Sequence, residues 1–499
     1  MKNKFPPKQQ DNSHIIKARP KLNWSDYQKA IFLNVKEGSG NTAVIARAGS
    51  SKTTSLVEAL RYVPRGKKIL IAAFNKSIAE ELKSRVADSI DCMTLHSLGY
   101  RAIKQKFGNV ALDDKKCLTI IQEIVGEDYD FNSQLARAVS LCKSSLVDVP
   151  SKILDLMDKY WIVPDPYTRQ QFAELVVKIL AECKKRNTII DFDDMIYFPF
   201  VYGLNIGKWD YIFVDEAQDM SYAQLVLAIS AARTTSRIFV FLDDKQAIYN
   251  FRGCDIESVH SIIKKLNPTK LSLPISYRCP KKVIKLAQEV VPDITTPDQA
   301  AEGYVDYIEP YELLKKIKPG DFVLSRTNAP LIKYCFAALK AGIPSNIQGK
   351  DVGSNLQYFI KKSKAKTINN FIKYVNQWKN EEITRLTSEK KNTDIVADKA
   401  ECLLNLCEGT LTIKDLKESI DKLFTDTDDN KKVIFSTTHK AKGLERDRVF
   451  VLADTYRYSI GVEGEEANLW YVSLTRSKNH LFIVRKPGKY VKYDDPKEK

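Results

Sequence analysis

The chain reads as an α/β protein: two parallel-sheet units, each interrupted by a mainly helical insertion. Three observations predict this. Its 499 residues exceed one domain and suggest about three at roughly 150 residues each. Short, wholly apolar runs alternate with helical periodicity, the signature of parallel strands covered on both faces. Two long helical stretches, between Tyr100 and Asp191 and between Asp351 and Asn430, divide the strand candidates into sets.

Residues 1–21 carry six Lys or Arg against one Asp, with Pro6 and Pro7 adjacent, and read as a flexible basic arm. Thr42-Ala43-Val44-Ile45 is the first strand candidate. A Gly/Ser/Lys turn follows, then a helix carrying Leu56, Val57 and Leu60. Further strand candidates are Ile69 to Phe74, Tyr211 to Val214 and Ile238 to Leu242. Val163-Pro164-Asp165-Pro166 breaks the first helical stretch once. The second strand set is Leu271 to Leu273, Phe322 to Leu324, Val433 to Phe435, Val449 to Leu452 and Leu481 to Val484. The second helical stretch holds the basic group Lys361, Lys362, Lys364 and Lys366. No internal repeat is visible.

Composition excludes several classes. Hydrophobic residues are 44% and charged residues 28%, enough for more than one core. Gly (20) and Pro (19) are too few for a collagen-like or low-complexity chain. No apolar run approaches the roughly 18 residues of a spanning helix. The N-terminal Met-Lys-Asn-Lys-Phe-Pro-Pro lacks a signal peptide's apolar centre. Lys and Arg number 78 against 62 Asp and Glu, a net charge of +16. That excess favours a polyanion, nucleic acid before membrane. Nine cysteines form no Cys-x-x-Cys pair, and the nearest two, Cys402 and Cys407, have no histidine beside them. Free thiols in a reducing compartment follow. The expected setting is the cytoplasm, or the nucleus for a eukaryotic chain.

Ala46-Arg47-Ala48-Gly49-Ser50-Ser51-Lys52-Thr53 follows a strand and opens a helix, the context of a phosphate-binding loop. Its amides and the helix N-terminus offer an anion site. Lys52 would reach the β and γ phosphates, and the Thr53 hydroxyl would ligate Mg²⁺. Ala48, Gly49, Ser50, Ser51 and Thr54 complete the candidate nucleotide-binding segment. Ala46 and Ser51 replace two pattern glycines, and Ser51 brings a Cβ toward the phosphates. Downstream, Val214-Asp215-Glu216-Ala217-Gln218-Asp219 closes an apolar strand, where open sheets bind ligands. Asp215 would hold the metal. Glu216 would orient and deprotonate the attacking water.

With these motifs the chain resembles superfamily 1 DNA helicases of the UvrD/Rep/PcrA type, from about Leu22 to Val484 and in the family's motif order. The resemblance implies two RecA-like motor domains. Leu22-Asn23-Trp24-Ser25-Asp26-Tyr27-Gln28 is similar to the adenine-reading segment, with Gln28 on the base edge. Ala72-Ala73-Phe74-Asn75-Lys76 and Thr94-Leu95-His96-Ser97 resemble DNA-contacting motifs, which implicates Phe74, Asn75, Thr94 and His96. Leu242-Asp243-Asp244-Lys245-Gln246-Ala247-Ile248-Tyr249-Asn250-Phe251-Arg252-Gly253 implies Gln246 as γ-phosphate sensor. It also implies Tyr249 and Phe251 as a base-stacking platform, with Arg252 beside them. The family usually has glycine where Leu242 stands. Tyr277-Arg278-Cys279-Pro280 implies Tyr277 on adenine and Arg278 on the γ-phosphate. Ser325-Arg326-Thr327-Asn328 resembles a further strand-end motif. In Thr438-His439-Lys440-Ala441-Lys442-Gly443-Leu444-Glu445, Glu445 would bind ribose, and Thr438 and His439 would lie near DNA. Tyr471-Val472-Ser473-Leu474-Thr475-Arg476 implies Arg476 as a second γ-phosphate arginine.

The resemblance divides the chain into the arm (1–21), a first motor domain (22–100 and 190–268) and its helical insertion (101–189). A second motor domain (269–350 and 431–490) holds a reduced insertion (351–430). It implies that ATP with Mg²⁺ binds between the motors and drives movement along single-stranded DNA, 3′ to 5′, with strand separation at junctions. Accessory proteins fit this picture and a membrane does not. For a cytoplasmic chain the resemblance implies a bacterial or phage-infected cell. The competing reading is a nucleic-acid-binding protein of this fold with weak or lost turnover, motivated by the replaced loop glycines. Lys52, Glu216, Gln246, Arg278 and Arg476 together favour turnover. A motor of opposite polarity and an RNA substrate are the remaining alternatives.

Overall fold

The computed structural model describes residues 23–160, 162, 164–249, 256–388, 393–426, 429–458, 461 and 463–487. The basic arm 1–21 and the motif residues Phe251 and Arg252 lie outside the described residues. The chain forms two compact units, residues 1–274 and 275–499.

The first unit begins with α1 (Asp26–Glu37), β1 (Thr42–Ala46), α2 (Lys52–Ala59), β2 (Ile69–Ala73), α3 (Lys76–Arg85), β3 (Asp91–Thr94) and α4 (Leu95–Phe107). The insertion follows as β4 (Ala111–Leu112), α5 (Lys116–Val125), α6 (Tyr129–Ser145), α7 (Pro150–Tyr160), α8 (Arg169–Lys185) and β5 (Ile189–Ile190). The chain returns through α9 (Phe192–Val201), β6 (Trp209–Val214), α10 (Tyr222–Ser230), β7 (Ala232–Leu242), α11 (Ile256–Lys265) and β8 (Thr269–Leu273). The main sheet has the order β3-β2-β6-β7-β1-β8, with every pairing parallel. Its central strands are the apolar runs. All five residues of β2 are buried because both faces are covered.

One boundary read from the sequence moves. Thr269–Leu273 had been grouped with the second unit, yet it pairs with β1 in the register Thr42↔Thr269 to Ala46↔Leu273. Its alternating burial marks an edge strand. Such a strand is claimed by whichever sheet offers an unpaired backbone edge, and sequence periodicity carries no sign of that.

The insertion has its own core, built on Phe131, Leu135, Phe172, Val176 and Ile179. It is not purely helical, because β4 and β5 pair in parallel. Helices α4 and α9 form its stem. Leu98 and Ala102 of α4 pack in the sheet's core, whereas Ile103 packs in the insertion's. Gly99 lets the two helices meet: a Cβ there would lie 1.8 Å from the Met195 carbonyl oxygen. Inside the insertion, Lys143 sits 2.8 Å from both Asp191 and Asp194, and Lys116 sits 2.6 Å from Asp194. All four side chains are buried, a neutral cluster in which each charge has a partner.

The second unit runs α12 (Lys281–Ala287), β9 (Tyr304–Ile308), α13 (Leu313–Lys316), β10 (Phe322–Ser325), α14 (Ala329–Lys340) and β11 (Ser345–Ile347). Four helices follow: α15 (Lys350–Lys362), α16 (Ile368–Ser388), α17 (Asp394–Cys407) and α18 (Ile413–Leu423). It ends with β12 (Val433–Thr437), α19 (Thr438–Ala441), β13 (Arg446–Leu452), α20 (Glu465–Leu474) and β14 (Ser477–Val484). The sheet order is β11-β12-β10-β13-β14-β9, again all parallel. Here the helical stretch makes no separate core. Phe359, Phe371, Leu403 and Leu416 bury against the same cluster as Val323, Ile347 and Phe435 of the sheet. Asp398 of α17 also caps α14, accepting from the amides of Asn328 (3.1 Å) and Ala329 (2.9 Å).

Among the described residues, no helix is long and apolar enough to cross a membrane. The eight described cysteines carry no disulfide.

Candidate nucleotide and nucleic-acid sites

Strand β1 delivers the phosphate loop to the C-terminal edge of the first sheet, and α2 starts at Lys52. The loop turns through two left-handed residues, Gly49 (φ 73°) and Ser51 (φ 58°, ψ 38°). Gly49 adopts this freely. Ser51 does so at a cost of roughly 1–2 kcal/mol, because its Cβ crowds the following carbonyl. Ser50 Oγ is buried without a hydrogen-bond partner and sits in the stretch where an anion's oxygens would supply one. Ala48 is buried. The Thr54 hydroxyl accepts from Arg85 (3.1 Å) and keeps its O–H to donate.

The expected acids meet this loop. Lys52 Nζ is ion-paired with Glu216, and Thr53 Oγ1 donates to Asp215 Oδ2 at 3.0 Å. Burial alone would lower the Lys52 pKa, but Glu216, Asp215 and Asp243 outweigh it and hold the ammonium above its usual value. Burial, reinforced by Glu216, pushes Asp215 up to about 6 against the opposing pull of Lys52 and Thr53. Burial likewise raises Asp243 to about 6, opposed first by Arg47. Glu216 takes the left-handed conformation (φ 53°) and turns sharply off the strand end.

Gln246 joins the same network, its Nε2 donating to Asp243 Oδ2 at 2.6 Å. Two members were not assigned roles from the sequence. Gln218 Nε2 donates to Glu216 (2.5 Å) while its Oε1 accepts from the Asp243 amide (3.1 Å). Arg47 reaches Asp243 and Asp244. Gln218 lay inside the acidic motif, and its amide, a donor and an acceptor together, was the available signal. Leu242 is fully buried at the end of β7, so a side chain is accommodated at this position.

Gln28 is close to the loop but does not present a free amide edge. Its Oε1 accepts from the Ser25 amide (3.0 Å) in the α1 capping box, and its Nε2 donates to Ser55 Oγ (2.9 Å). The side chain is 3% exposed. In this state Gln28 caps α1 and ties it to α2. Reading adenine would require it to exchange these bonds.

Phe74 and Tyr249 stack, with centroids 6.5 Å apart and planes at 16°. Asn75 and Thr94 are engaged as helix N-caps, accepting from Ile78 N (2.9 Å) and Ser97 N (3.1 Å). His96 meets Phe192 edge-on, and burial lowers its pKa. Phe74 and His96 line a cleft of about 440 Å³ with Arg137 and Ser140 of the insertion and with Asp193, Asp219 and Ser221.

In the second unit, Arg278 is ion-paired with Glu445. Arg476 is 1% exposed; its Nε donates to Val472 O (2.9 Å) and its NH1 to Leu444 O (3.3 Å). Burial, and then the neighbouring Arg278, lower it to about 10. Tyr277, next in sequence, is 44% exposed, leaving a face for stacking. Thr438 departs from the expectation. It is fully buried and shares hydrogen bonds with Tyr456 Oη (2.5 Å) and Ser473 Oγ (2.8 Å), so its side chain does not face a polyanion. His439 lies 4.0 Å from Glu465 and is mostly covered.

Among the described residues, no group of three or more His, Cys, Asp or Glu side chains could hold a metal. The Thr53–Asp215 pair instead offers two hard oxygens. That suits Mg²⁺, which completes its shell with phosphate and water.

A strand–loop–helix anion cradle, with acids at the ends of neighbouring parallel strands, defines a phosphate-loop nucleotide-binding α/β protein. Residues 26–267 match the UvrD/REP helicase N-terminal domain, and residues 325–486 match the UvrD-like helicase C-terminal domain. The chain therefore belongs to the UvrD-like helicase family. It is 29% identical over 291 residues to the ATP-dependent DNA helicase PcrA of Bacillus subtilis, covering 52% of this chain and 38% of that one. It is 26% identical over 283 residues to the ATP-dependent DNA helicase Rep of Buchnera aphidicola subsp. Baizongia pistaciae (51% and 41%). To PcrA of Staphylococcus aureus strain Mu50 it is 26% identical over 292 residues (52% and 38%). The match thus spans about two fifths of these relatives' length.

Proposed function

We propose that this chain is an ATP-dependent DNA helicase or translocase that moves along single-stranded DNA, 3′ to 5′, and separates strands at junctions. One observation carries the reading: Lys52, Thr53, Asp215, Glu216 and Gln246 belong to one hydrogen-bonded network at the strand ends of the first sheet.

Nucleotide would enter by exchange. The phosphates take Lys52 from Glu216, which frees that carboxylate to orient the attacking water and accept its proton. Thr53 and Asp215 would hold Mg²⁺, which would supply positive charge to the phosphates. Gln246, fixed by Asp243, reports the γ-phosphate. Arg278 and Arg476 are the proposed cations for the charge of transfer, Arg278 leaving Glu445 to do so. Tyr277 stacks on the base. Phe74, Tyr249, Phe251, Arg252 and His96 are the proposed contacts to bases and backbone, and stacking on aromatic faces is sequence-tolerant. The net charge of +16 supports a polyanion partner.

The test is strand separation with MgATP on duplexes bearing a 3′ tail, a 5′ tail or none, with Lys52→Ala as control and ATP turnover followed in the same tubes. Unwinding of the 3′-tailed duplex alone, lost in the variant, is the expected result. Preference for the 5′ tail overturns the polarity. Turnover without unwinding means a translocase or a helicase that needs a partner protein. Absence of turnover points to Ser51 and to the nucleic-acid-binding alternative.

A further inference from the structure

Arg47 stands in the phosphate loop, five residues before Lys52, but its side chain is committed elsewhere. The guanidinium NH1 lies 2.7 Å from Asp244 Oδ1 and 3.3 Å from Asp243 Oδ1, and the side chain is 10% exposed. Its backbone is held too: Arg47 N donates to Leu273 O (2.9 Å), and Arg47 O accepts from Ser50 N (3.1 Å). Asp243 is fully buried. Its Oδ2 accepts from Gln246 Nε2 (2.6 Å), its Oδ1 accepts from Lys245 N (3.2 Å), and its amide reaches Gln218, which holds Glu216. Arg47 is therefore one end of a bonded path to the proposed sensor and the proposed base.

We infer that Arg47 is a positioning residue for ATP turnover: its guanidinium ties the phosphate loop to the Asp243–Gln246 turn and holds Gln246 and Glu216 in register with the loop. The inference rests on the motor reading above. The charged groups around Asp243 are Arg47, Lys52 and Asp244. A buried carboxylate stripped of its cation is strongly destabilised. Without Arg47, the carboxylate that accepts from Gln246 Nε2 is no longer tied to the phosphate loop, so Gln246 and, through Gln218, Glu216 lose their register with it. A planar guanidinium can serve both carboxylates at once, whereas an ammonium is a single point charge.

Steady-state hydrolysis of MgATP on single-stranded DNA is measured for the wild type, Arg47→Ala, Arg47→Lys, Asp244→Asn and the Arg47→Ala/Asp244→Asn double variant. Arg47→Ala is expected to lower kcat about tenfold or more while KM for ATP moves less than about threefold. Arg47→Lys recovers part of kcat. The double variant is no worse than Arg47→Ala, because both changes cut one link. Binding of a fluorescent ATP analogue reports whether each variant is folded. If Arg47→Ala fails to bind it, Arg47→Lys and Asp244→Asn decide, each expected to lose kcat selectively. An unchanged kcat, a rise in KM alone, or additive losses in the double variant overturns the inference while the motor reading stands. A wild type without turnover overturns both.

Discussion

The substitution Asp215→Asn should make the protein more stable and inactive. Asp215 is fully buried, and its carboxyl is raised from 3.8 to about 6, chiefly by burial and then by Glu216. The native state therefore holds a proton that the unfolded chain releases. Stability from the neutral acid is complete below the unfolded value and is lost as pH rises through the folded one. The displacement from 3.8 to about 6 corresponds to about 3 kcal/mol. Asparagine keeps the shape and carries no charge to bury. Urea denaturation of both proteins without Mg²⁺, from pH 4 to 8, should show the variant's advantage growing up to about pH 6 and constant above it, at about 3 kcal/mol or less. Adding MgATP should stabilise the wild type and leave the variant unmoved, with turnover lost only in the variant. Parallel curves across the pH range, or a variant less stable at pH 8, would refute the argument that burial strains this carboxylate.

Four further outcomes follow from particular contacts. Gly99→Ala drives a Cβ into the Met195 carbonyl and should cost about 3 kcal/mol or more in denaturant midpoint, since backbone, not a flexible side chain, must move. Ser51→Gly relieves a left-handed serine; the gain of roughly 1–2 kcal/mol is largely offset by glycine's entropy, so melting should shift by no more than about 1 kcal/mol. Thr438→Val leaves the Tyr456 and Ser473 hydroxyls short of a partner and should cost about 1–3 kcal/mol, with single-stranded DNA affinity unchanged in a fluorescence titration. Lys143→Met strips a cation from Asp191 and Asp194 in the insertion core and should destabilise by about 3–5 kcal/mol in the same denaturation assay.

Much of the candidate nucleotide site's framework was legible because its signals are local. A buried strand, a Gly/Ser/Lys turn and a helix occupy consecutive residues from Thr42 to Ala59, and the acids of Asp215 and Glu216 follow their strand directly. Less was legible where exposure or length blurs the pattern. β3 is half-buried throughout, β9 alternates at an edge, and β11 has three residues, so none forms an apolar run. Side-chain partners were the least visible. Thr438 sits in a motif that suggested a surface, yet it is buried against Tyr456 and Ser473. Gln28 carries the expected amide, but Ser25 and Ser55 already hold it.

The sequence by itself determined the strand–loop–helix unit, the acids at the strand end, the order of the motifs and the basic balance, because each is written in neighbouring residues or in composition. Only the tertiary structure decided which sheet received Thr269–Leu273 and that the second helical stretch shares its sheet's core while the first does not. It alone decided that Arg47 meets Asp243 across 196 residues. These are choices among long-range partners. They turn on which unpaired backbone edges, apolar faces and opposite charges come together once the chain has closed its loops, and no local pattern encodes that.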